Sequence, residues 1–141
     1  MGLRSNAKVD LIRHTPLFEH CSRKDLAEIA QIADQLDLPA GKVLIREGDR
    51  GREFFVVIAG ELDVQQQGRN VATLGPGSFF GEMALLSQAP RSATVTTITP
   101  VDVLVITDRA FIALLDRLPD IWLKVARALA ERVEADETRD P

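Results

Sequence analysis

The segment from residue 80 to residue 95, which reads FGEMALLSQAPRSATV, contains the residue types that binding a small anion requires. Gly81 allows the backbone to approach a ligand closely or to adopt a positive φ. The residues after it are typical of a helical turn, whose free N–H groups suit an anion. Nine residues after Glu82, Arg91 offers a forked, permanently charged donor for a phosphate. Glu82 is itself an anion, but it could accept a hydrogen bond from a sugar hydroxyl. The group therefore fits a ligand with one phosphate and a nearby ribose.

These residues also have ordinary structural explanations. Arg91 could form a surface ion pair with Glu82 or Asp63, and Glu82 could be a first-turn carboxylate that the helix dipole stabilises by about 0.3–1 kcal/mol. His14 and His20 both precede the strand-rich part of the chain, where surface or capping positions are typical. We therefore expect no metal ligand among them. A cupin-type metalloenzyme would need several ligands inside its barrel.

The rest of the chain must position this segment, and its hydrophobic pattern divides into three zones. The pattern is helical from about residue 7 to 34, strand-like from 35 to 107 and helical again from 108 to 136. No helix separates the strand-like runs, which favours antiparallel pairing. We predict one α+β, mainly β domain, an antiparallel jelly-roll barrel of about eight strands with N-terminal helices and two C-terminal helices. The candidate strands are Gln35–Leu38, Val43–Arg46, Phe54–Ala59, Leu62–Gln66, Val71–Leu74, Ser92–Thr97 and Val101–Ile106.

Local signals refine this outline. Ser22 followed by Asp25 predicts a capping box at the start of a helix. The run from residue 78 to 86 is rich in helix formers and predicts a single helical turn spliced into the barrel. Asp108 is expected to cap the first C-terminal helix.

Composition sets limits on the class of protein. The chain has 141 residues, with 17 Lys and Arg against 21 Asp and Glu, giving a net charge of −4. This balance argues against a nucleic-acid partner but not against a small anionic ligand. The single cysteine, Cys21, excludes a disulfide framework. Because no apolar run approaches the roughly 18–20 residues of a membrane span and no secretory signal is visible, we expect a cytoplasmic protein without a membrane partner.

The segment from 80 to 95 resembles the phosphate-binding cassette of the cyclic nucleotide-binding domain family. Its Gly-Glu pair, the nine-residue step to arginine and the Arg-Ser-Ala-Thr continuation occur together. The segments 43–49 and 54–62 resemble the two glycine-punctuated strand segments that precede the cassette in that family. The resemblance extends from about Leu17 to Glu134. It implies a regulatory domain of signal transduction that binds a cyclic nucleotide, needs no cofactor and is not an enzyme.

The resemblance also implies roles for individual residues. Glu82 would accept a hydrogen bond from the ribose 2′-hydroxyl, with the Gly81 N–H beside it. Arg91 would bind the exocyclic phosphate oxygens, helped by the backbone N–H groups of Ala84 and Ser92. Leu85 resembles the hydrophobic hinge position that responds to the occupied cassette. Residues expected to wall the purine are Met83, Val71 and Leu74, and those that would cap the base from the last helix are Arg127, Ala128 or Arg132.

The ligand and the output follow from the same resemblance. A threonine after the cassette arginine tends to favour cGMP in the family. Ser92 is not a threonine but keeps a hydroxyl, so this position discriminates less between the two ligands. We favour cAMP over cGMP. Ligand binding would repack the C-terminal helices, which could pair with a second copy or with an effector protein. The alternative function is an interaction scaffold with little ligand control. The sequence shows no output domain, which fits either a stand-alone sensor or an excised domain.

Overall fold

A computed structural model describes residues 5–81 and 89–139. In these residues two four-stranded antiparallel sheets pack face to face, and helices from both ends of the chain pack together on the outer face of the first sheet. The helices are α1 (Ser5–Arg13), α2 (Arg23–Ile32), α3 (Asp108–Arg117) and α4 (Asp120–Arg139), with a 3-10 turn at Pro16–Phe18. The strands are β1 (Asp34–Leu38), β2 (Val43–Ile45), β3 (Glu53–Ala59), β4 (Leu62–Gln66), β5 (Arg69–Leu74), β6 (Phe79–Phe80), β7 (Thr94–Thr97) and β8 (Val101–Thr107). The predicted fold class is confirmed.

The two sheets form a jelly roll rather than one strictly closed barrel. One sheet has the order β1-β8-β3-β6 and the other the order β2-β7-β4-β5. Strand β6 lies at an edge of the first sheet, and β7 lies inside the second sheet between β2 and β4. The chain between β6 and β7 therefore crosses from one sheet to the other. This crossing carries Gly81 and Arg91.

Strand β3 is apolar along most of its length because it is buried on both faces. Phe54 and Val56 pack in a core between the first sheet and the helices. Phe55 and Val57 pack in a second core between the two sheets. The alternation of side chains along a strand thus sends neighbouring aromatic residues into different cores.

Strand β6 repeats the arrangement of β3. Phe79 contacts Phe54 in the helix-side core, with ring centroids 5.8 Å apart. Phe80 stacks on Phe55 in the sheet-side core at 4.8 Å. The expected helical turn over residues 78–86 is therefore wrong at positions 79 and 80, which are extended because each ring must face a different core. The rest of that predicted turn, from residue 82 to 86, lies outside the described residues.

The ends of the helices agree with the sequence in one place and differ in another. The capping box at Ser22 and Asp25 is confirmed. The predicted cap at Asp108 is wrong, because Thr107 is the N-cap and its Oγ1 accepts a hydrogen bond from the Ala110 N–H at 3.1 Å. Asp108 occupies the first turn instead. Strand β5 begins two residues earlier than predicted and β7 begins two residues later.

Helix α4 is held against the N-terminal helices by apolar and charged contacts. Ile121 and Val125 are fully buried in the helix-side core. Lys124 donates a hydrogen bond from its Nζ to the Asp25 carboxylate. Burial raises the pKa of Asp25, but hydrogen bonds from Lys124 and Ser22 outweigh it and leave this pKa below its ordinary value. Among the described helices, none is long and apolar enough to cross a membrane.

Candidate functional site

A cavity of about 440 Å³ opens between the second sheet and the chain that crosses between the sheets. Its volume lies within the roughly 300–1,000 Å³ that small-molecule sites occupy in proteins. One wall is apolar and comes from β2, β4, β5 and β7. The opposite wall is formed by the chain on either side of residues 82–88. The lining residues are Ile45, Gly51, Val64, Gln66, Ala72, Leu74, Phe79, Phe80, Gly81, Ala89, Pro90, Arg91, Ser92, Ala93 and Val95.

Arg91 carries the positive charge of the cavity, and its side chain is only 7% exposed. Its Nη2 donates a hydrogen bond to the Glu53 carbonyl oxygen at 2.9 Å, and its Nη1 donates to the Gly81 carbonyl oxygen at 3.3 Å. The Glu53 carboxylate oxygen Oε2 lies 3.5 Å from Nη2. Arg91 is therefore no surface ion-pair residue. Its buried charge is compensated by oxygens, as a charge withdrawn from water requires.

The alternative partners expected for Arg91 can be placed in part. Asp63 accepts hydrogen bonds from Gln65 and Asn70. Glu82 lies outside the described residues. Within the part of the chain that the structure describes, the Glu53 carboxylate lies close to Arg91.

Two glycines make room for the guanidinium group. Gly81 has a φ of +80°, one of the two roles expected for this glycine. A Cβ at this position would lie 2.8 Å from the Glu53 carbonyl oxygen and 3.0 Å from Arg91 Nη1. A Cβ at Gly51 would overlap the Arg91 guanidinium itself. The Arg91 N–H also donates to the Asp49 carbonyl oxygen at 2.8 Å. The loop from 48 to 51 therefore packs directly on Arg91.

Of the other site residues predicted near the second sheet, two line the cavity and one does not. Ser92 lines the cavity, and its carbonyl oxygen accepts a hydrogen bond from Gln66 Nε2 at 3.2 Å. Leu74 also lines the cavity, as predicted. Val71 does not, because it is 52% exposed on β5, and alternation along the strand brings Ala72 and Leu74 to the cavity instead.

The predicted contributions of the last helix are not found at the cavity. Among the described residues, none of the cavity lining comes from α3 or α4. Arg127 is exposed and its Nε donates to Glu131 one turn later at 3.2 Å, and Ala128 is buried in the helix-side core region. The side chain of Arg132 lies outside the described residues, as do Met83, Ala84 and Leu85.

Among the residues of the site that sequence reasoning missed, three contact Arg91 or Ser92. Gly51 lies between two predicted strands and was given no role in the site, although a second glycine three residues after Gly48 is a signal for close backbone approach. Glu53 acts mainly through its backbone carbonyl, which no side-chain type reveals. Gln66 was counted only as the end of a strand.

The sequence from residue 35 to 118 matches the family model described as cyclic nucleotide-binding domain. The chain belongs to this family. Its predicted identity as a cyclic nucleotide-binding regulatory domain is thereby confirmed.

Curated relatives of the cyclic nucleotide-binding domain have varied architectures. The chain is 34% identical over 122 residues to the Pycsar effector protein XpPycTIR of Xanthomonas perforans, covering 83% of this chain and 40% of that protein. It is 37% identical over 121 residues to the cAMP-dependent protein kinase regulatory subunit of Mycosarcoma maydis, covering 79% and 23%. The chain thus spans less than half the length of these relatives.

Solved structures of other proteins share the fold. The N-terminal domain of a transcriptional regulator from Streptomyces coelicolor matches with a TM-score of 0.80 and 30% identity, covering 90% of this chain and 94% of that one. The Thermus thermophilus catabolite activator protein matches with a TM-score of 0.75 and 31% identity, covering 89% and 62%.

Replacing Gly51 with alanine should displace the Arg91 guanidinium, because the added Cβ would overlap it. Loss of its charged hydrogen bond to Glu53 should lower the free energy of unfolding by about 1–3 kcal/mol. Gly75→Ala is the matched control, since it also lacks a positive φ and its Cβ would meet nothing within 4 Å. Denaturant unfolding should show a change within about 0.5 kcal/mol for the control. Equal stability of the two variants would contradict the packing of Gly51 on Arg91.

Proposed function

We propose that the cavity binds a cyclic nucleotide, cAMP in preference to cGMP, with the phosphate at Arg91. The observation that carries the proposal is a buried arginine that lines a cavity of about 440 Å³ together with apolar residues of the second sheet. An anion gains most from a cation in a place shielded from water. The apolar wall opposite suits the flat face of a base. A ligand with one phosphate and one base matches both sides.

The chain around Arg91 supplies the proposed phosphate contacts. Gly81 places its backbone directly beside Arg91 Nη1, where only a residue without Cβ fits. Ser92, at the cavity, is expected to add its backbone N–H. The proposed contacts of Glu82 to the ribose and of the Ala84 N–H to the phosphate come from the resemblance of the cassette. Leu74, with Val64 and Ala72, is expected to contact the base, together with Met83.

The Glu53 carboxylate would repel a phosphate at Arg91, whereas the Glu53 backbone carbonyl positions the Arg91 guanidinium. Its carboxylate lies 3.5 Å from Nη2, so a phosphate on Arg91 would stand close to a second negative charge. The Glu53 side chain is 46% exposed, and solvent therefore screens this repulsion to a modest value. Its carbonyl oxygen, by contrast, holds the guanidinium in place without a net charge. Glu53 is expected to orient Arg91 at a small cost in affinity.

Known relatives support the choice of cAMP. A co-crystal structure of the regulatory domain of Toxoplasma gondii PKA contains cAMP, and it matches this chain with a TM-score of 0.73 and 35% identity over 78% of the chain. A hydroxyl at position 92 is expected to contact a guanine, and Ser92 retains one. The preference for cAMP over cGMP is therefore expected to be moderate. The ligand acts as a signal rather than as a substrate, and incubation with cAMP should produce no 5′-AMP.

Removing the Arg91 side chain should lower the affinity for cAMP between about 30-fold and several thousand-fold, because one partner of a buried charged contact costs about 2–5 kcal/mol. Ser92→Ala keeps the backbone N–H and removes one neutral hydroxyl contact, so it should cost only about two- to twelvefold, and more for cGMP than for cAMP. Calorimetric titration with cAMP and cGMP measures both. Arg91→Lys keeps the charge without the fork and guards against a folding defect, and Arg109→Ala on α3 is the control. Near-native affinity of folded Arg91→Ala would overturn the assignment.

Glu53→Gln should tighten cAMP binding by about two- to tenfold, because it removes the negative charge beside Arg91 and keeps the backbone carbonyl. Glu61→Gln makes the same change of charge at an exposed turn outside the cavity lining and should leave the affinity unchanged. The dissociation constants of both variants, measured at one ionic strength, decide the matter. Weaker binding by Glu53→Gln would mean that its carboxylate assists the ligand.

We further propose that ligand binding repacks α3 and α4, which carry the signal to a second copy or to an effector protein. Leu123 is 67% exposed on α4 and Ile112 is 52% exposed on α3, so both helices present apolar side chains. In the arrangement described here α4 is docked on the N-terminal helices, away from the cavity lining. A ligand can move α4 only by its differential affinity for two arrangements.

Lys124→Met should loosen α4, because it removes the ion pair with Asp25 and keeps the length of the side chain. If cAMP binds more tightly when α4 is not docked, the apparent cAMP affinity of Lys124→Met should rise by about two- to fivefold. This factor corresponds to the free energy that a partly exposed ion pair contributes. Lys24→Met, on the exposed side of α2, is the control. Amide exchange of α4 should be faster in Lys124→Met and should respond to cAMP in the unmodified chain. Unchanged exchange at saturating cAMP would rule out the repacking.

A further inference from the structure

Three metal-ligating side chains meet on the side of the molecule that carries α4. His20 Nε2 lies 3.1 Å from Glu131 Oε2 and 3.6 Å from Glu19 Oε1. One donor atom from each of the three residues lies within 4.8 Å of the other two. Glu19 and His20 precede α2, and Glu131 lies on α4, more than a hundred residues later in the chain. Within the described part of the chain, this is the group whose donors converge in this way.

We propose that Glu19, His20 and Glu131 form a site for a divalent transition metal of the Zn²⁺ class, which ties α4 to the segment before α2. Zn²⁺ binds imidazole nitrogen and carboxylate oxygen at about 2.0–2.2 Å with tetrahedral geometry. Two such ligands stand about 3.3–3.6 Å apart. The separations of His20 from Glu131 and from Glu19, 3.1 and 3.6 Å, are close to these values, and the donor atoms of the two carboxylates lie within 4.8 Å of each other.

The choice of metal class follows from the donors. One imidazole with two carboxylates favours Zn²⁺, Ni²⁺ or Cu²⁺ over Mg²⁺, which prefers oxygen ligands alone and retains its waters. The two carboxylates balance the charge of a divalent ion. Arg127 donates to the other oxygen of Glu131, Oε1, at 3.2 Å, so Oε2 is the atom turned toward His20. Arg127 therefore orients the Glu131 carboxylate and does not occupy Oε2, the oxygen proposed to bind the metal ion.

The position of the site gives it a consequence beyond binding. Its ligands join α4 to the segment before α2 near the ion pair of Lys124 with Asp25. A bound ion would therefore stabilise the docked arrangement of α4. That ion would also weaken cAMP binding, a consequence that rests on the proposed function, whereas metal binding itself does not.

Calorimetric titration of metal-free full chain with ZnCl₂, in the absence of nucleotide, tests the site directly. We expect saturation at one equivalent. His20→Gln and Glu131→Gln should each weaken binding by at least about tenfold, since even residues outside the first ligand sphere cost 10–100-fold in metal affinity. His14→Gln, at the only other histidine, and Cys21→Ser should leave the affinity unchanged. MgCl₂ should bind more weakly than ZnCl₂.

A second measurement tests the bridge to α4. Zn²⁺ should raise the thermal unfolding midpoint and slow amide exchange in α4, as a ligand of the folded state does. Both effects should vanish in His20→Gln. Absence of saturable binding, or equal affinity of the unmodified chain and His20→Gln, would overturn the site. Zn²⁺ binding that His20→Gln weakens but that leaves α4 exchange unchanged would overturn the bridge. Neither result depends on whether cAMP binds.

Discussion

The compensation of one buried charge, that of Arg91, is the constraint on which the rest of the site depends. A guanidinium that is only 7% exposed must be surrounded by oxygens, because an uncompensated charge inside a protein is strongly destabilising. Two backbone carbonyl oxygens, from Glu53 and Gly81, accept hydrogen bonds from its guanidinium. Carbonyls can approach so closely only where no Cβ intervenes, which explains the glycines at 51 and 81. The positive charge is thus held in place by the backbone of two separate segments.

Those two segments are held by the packing of the core. Glu53 begins β3, and Gly81 follows β6 directly. The two strands pair through Phe55 with Phe80, whose rings stack at 4.8 Å. The aromatic residues therefore set the distance between the carbonyls that hold Arg91. Because the same side chains fill the sheet-side core, the stability of the fold and the geometry of the cavity depend on the same contacts.

The sequence predicted most strands, and it selected Arg91, which the structure places at the cavity, because both have local signals. Alternating or continuous apolar runs reveal strands, and a glycine followed by a helix-forming run and an arginine indicates an anion site. Strand β6 was missed because two residues are too few to show a period. Val71 was expected at the cavity from the resemblance alone, and β5 is an exposed edge strand on which the sequence has no buried face to mark the side of the cavity. The contact of Arg91 with the Glu53 carbonyl spans 38 residues and uses an atom that every residue possesses.

Packing also links the cavity to the C-terminal helices. Phe79 lines the cavity and contacts Phe54, which in turn contacts Phe18 at 5.9 Å. The 3-10 turn that contains Phe18 packs on α4. Adjacency alone does not make this series of rings a path for a signal. It becomes one if a ligand favours one of two arrangements of Phe79, because close-packed rings repack in discrete steps rather than deform continuously. Under the proposed repacking of α4, these rings are the packed contacts that join the edge of the cavity to the last helix, so the arrangement of Phe79 with ligand bound is what would couple the two.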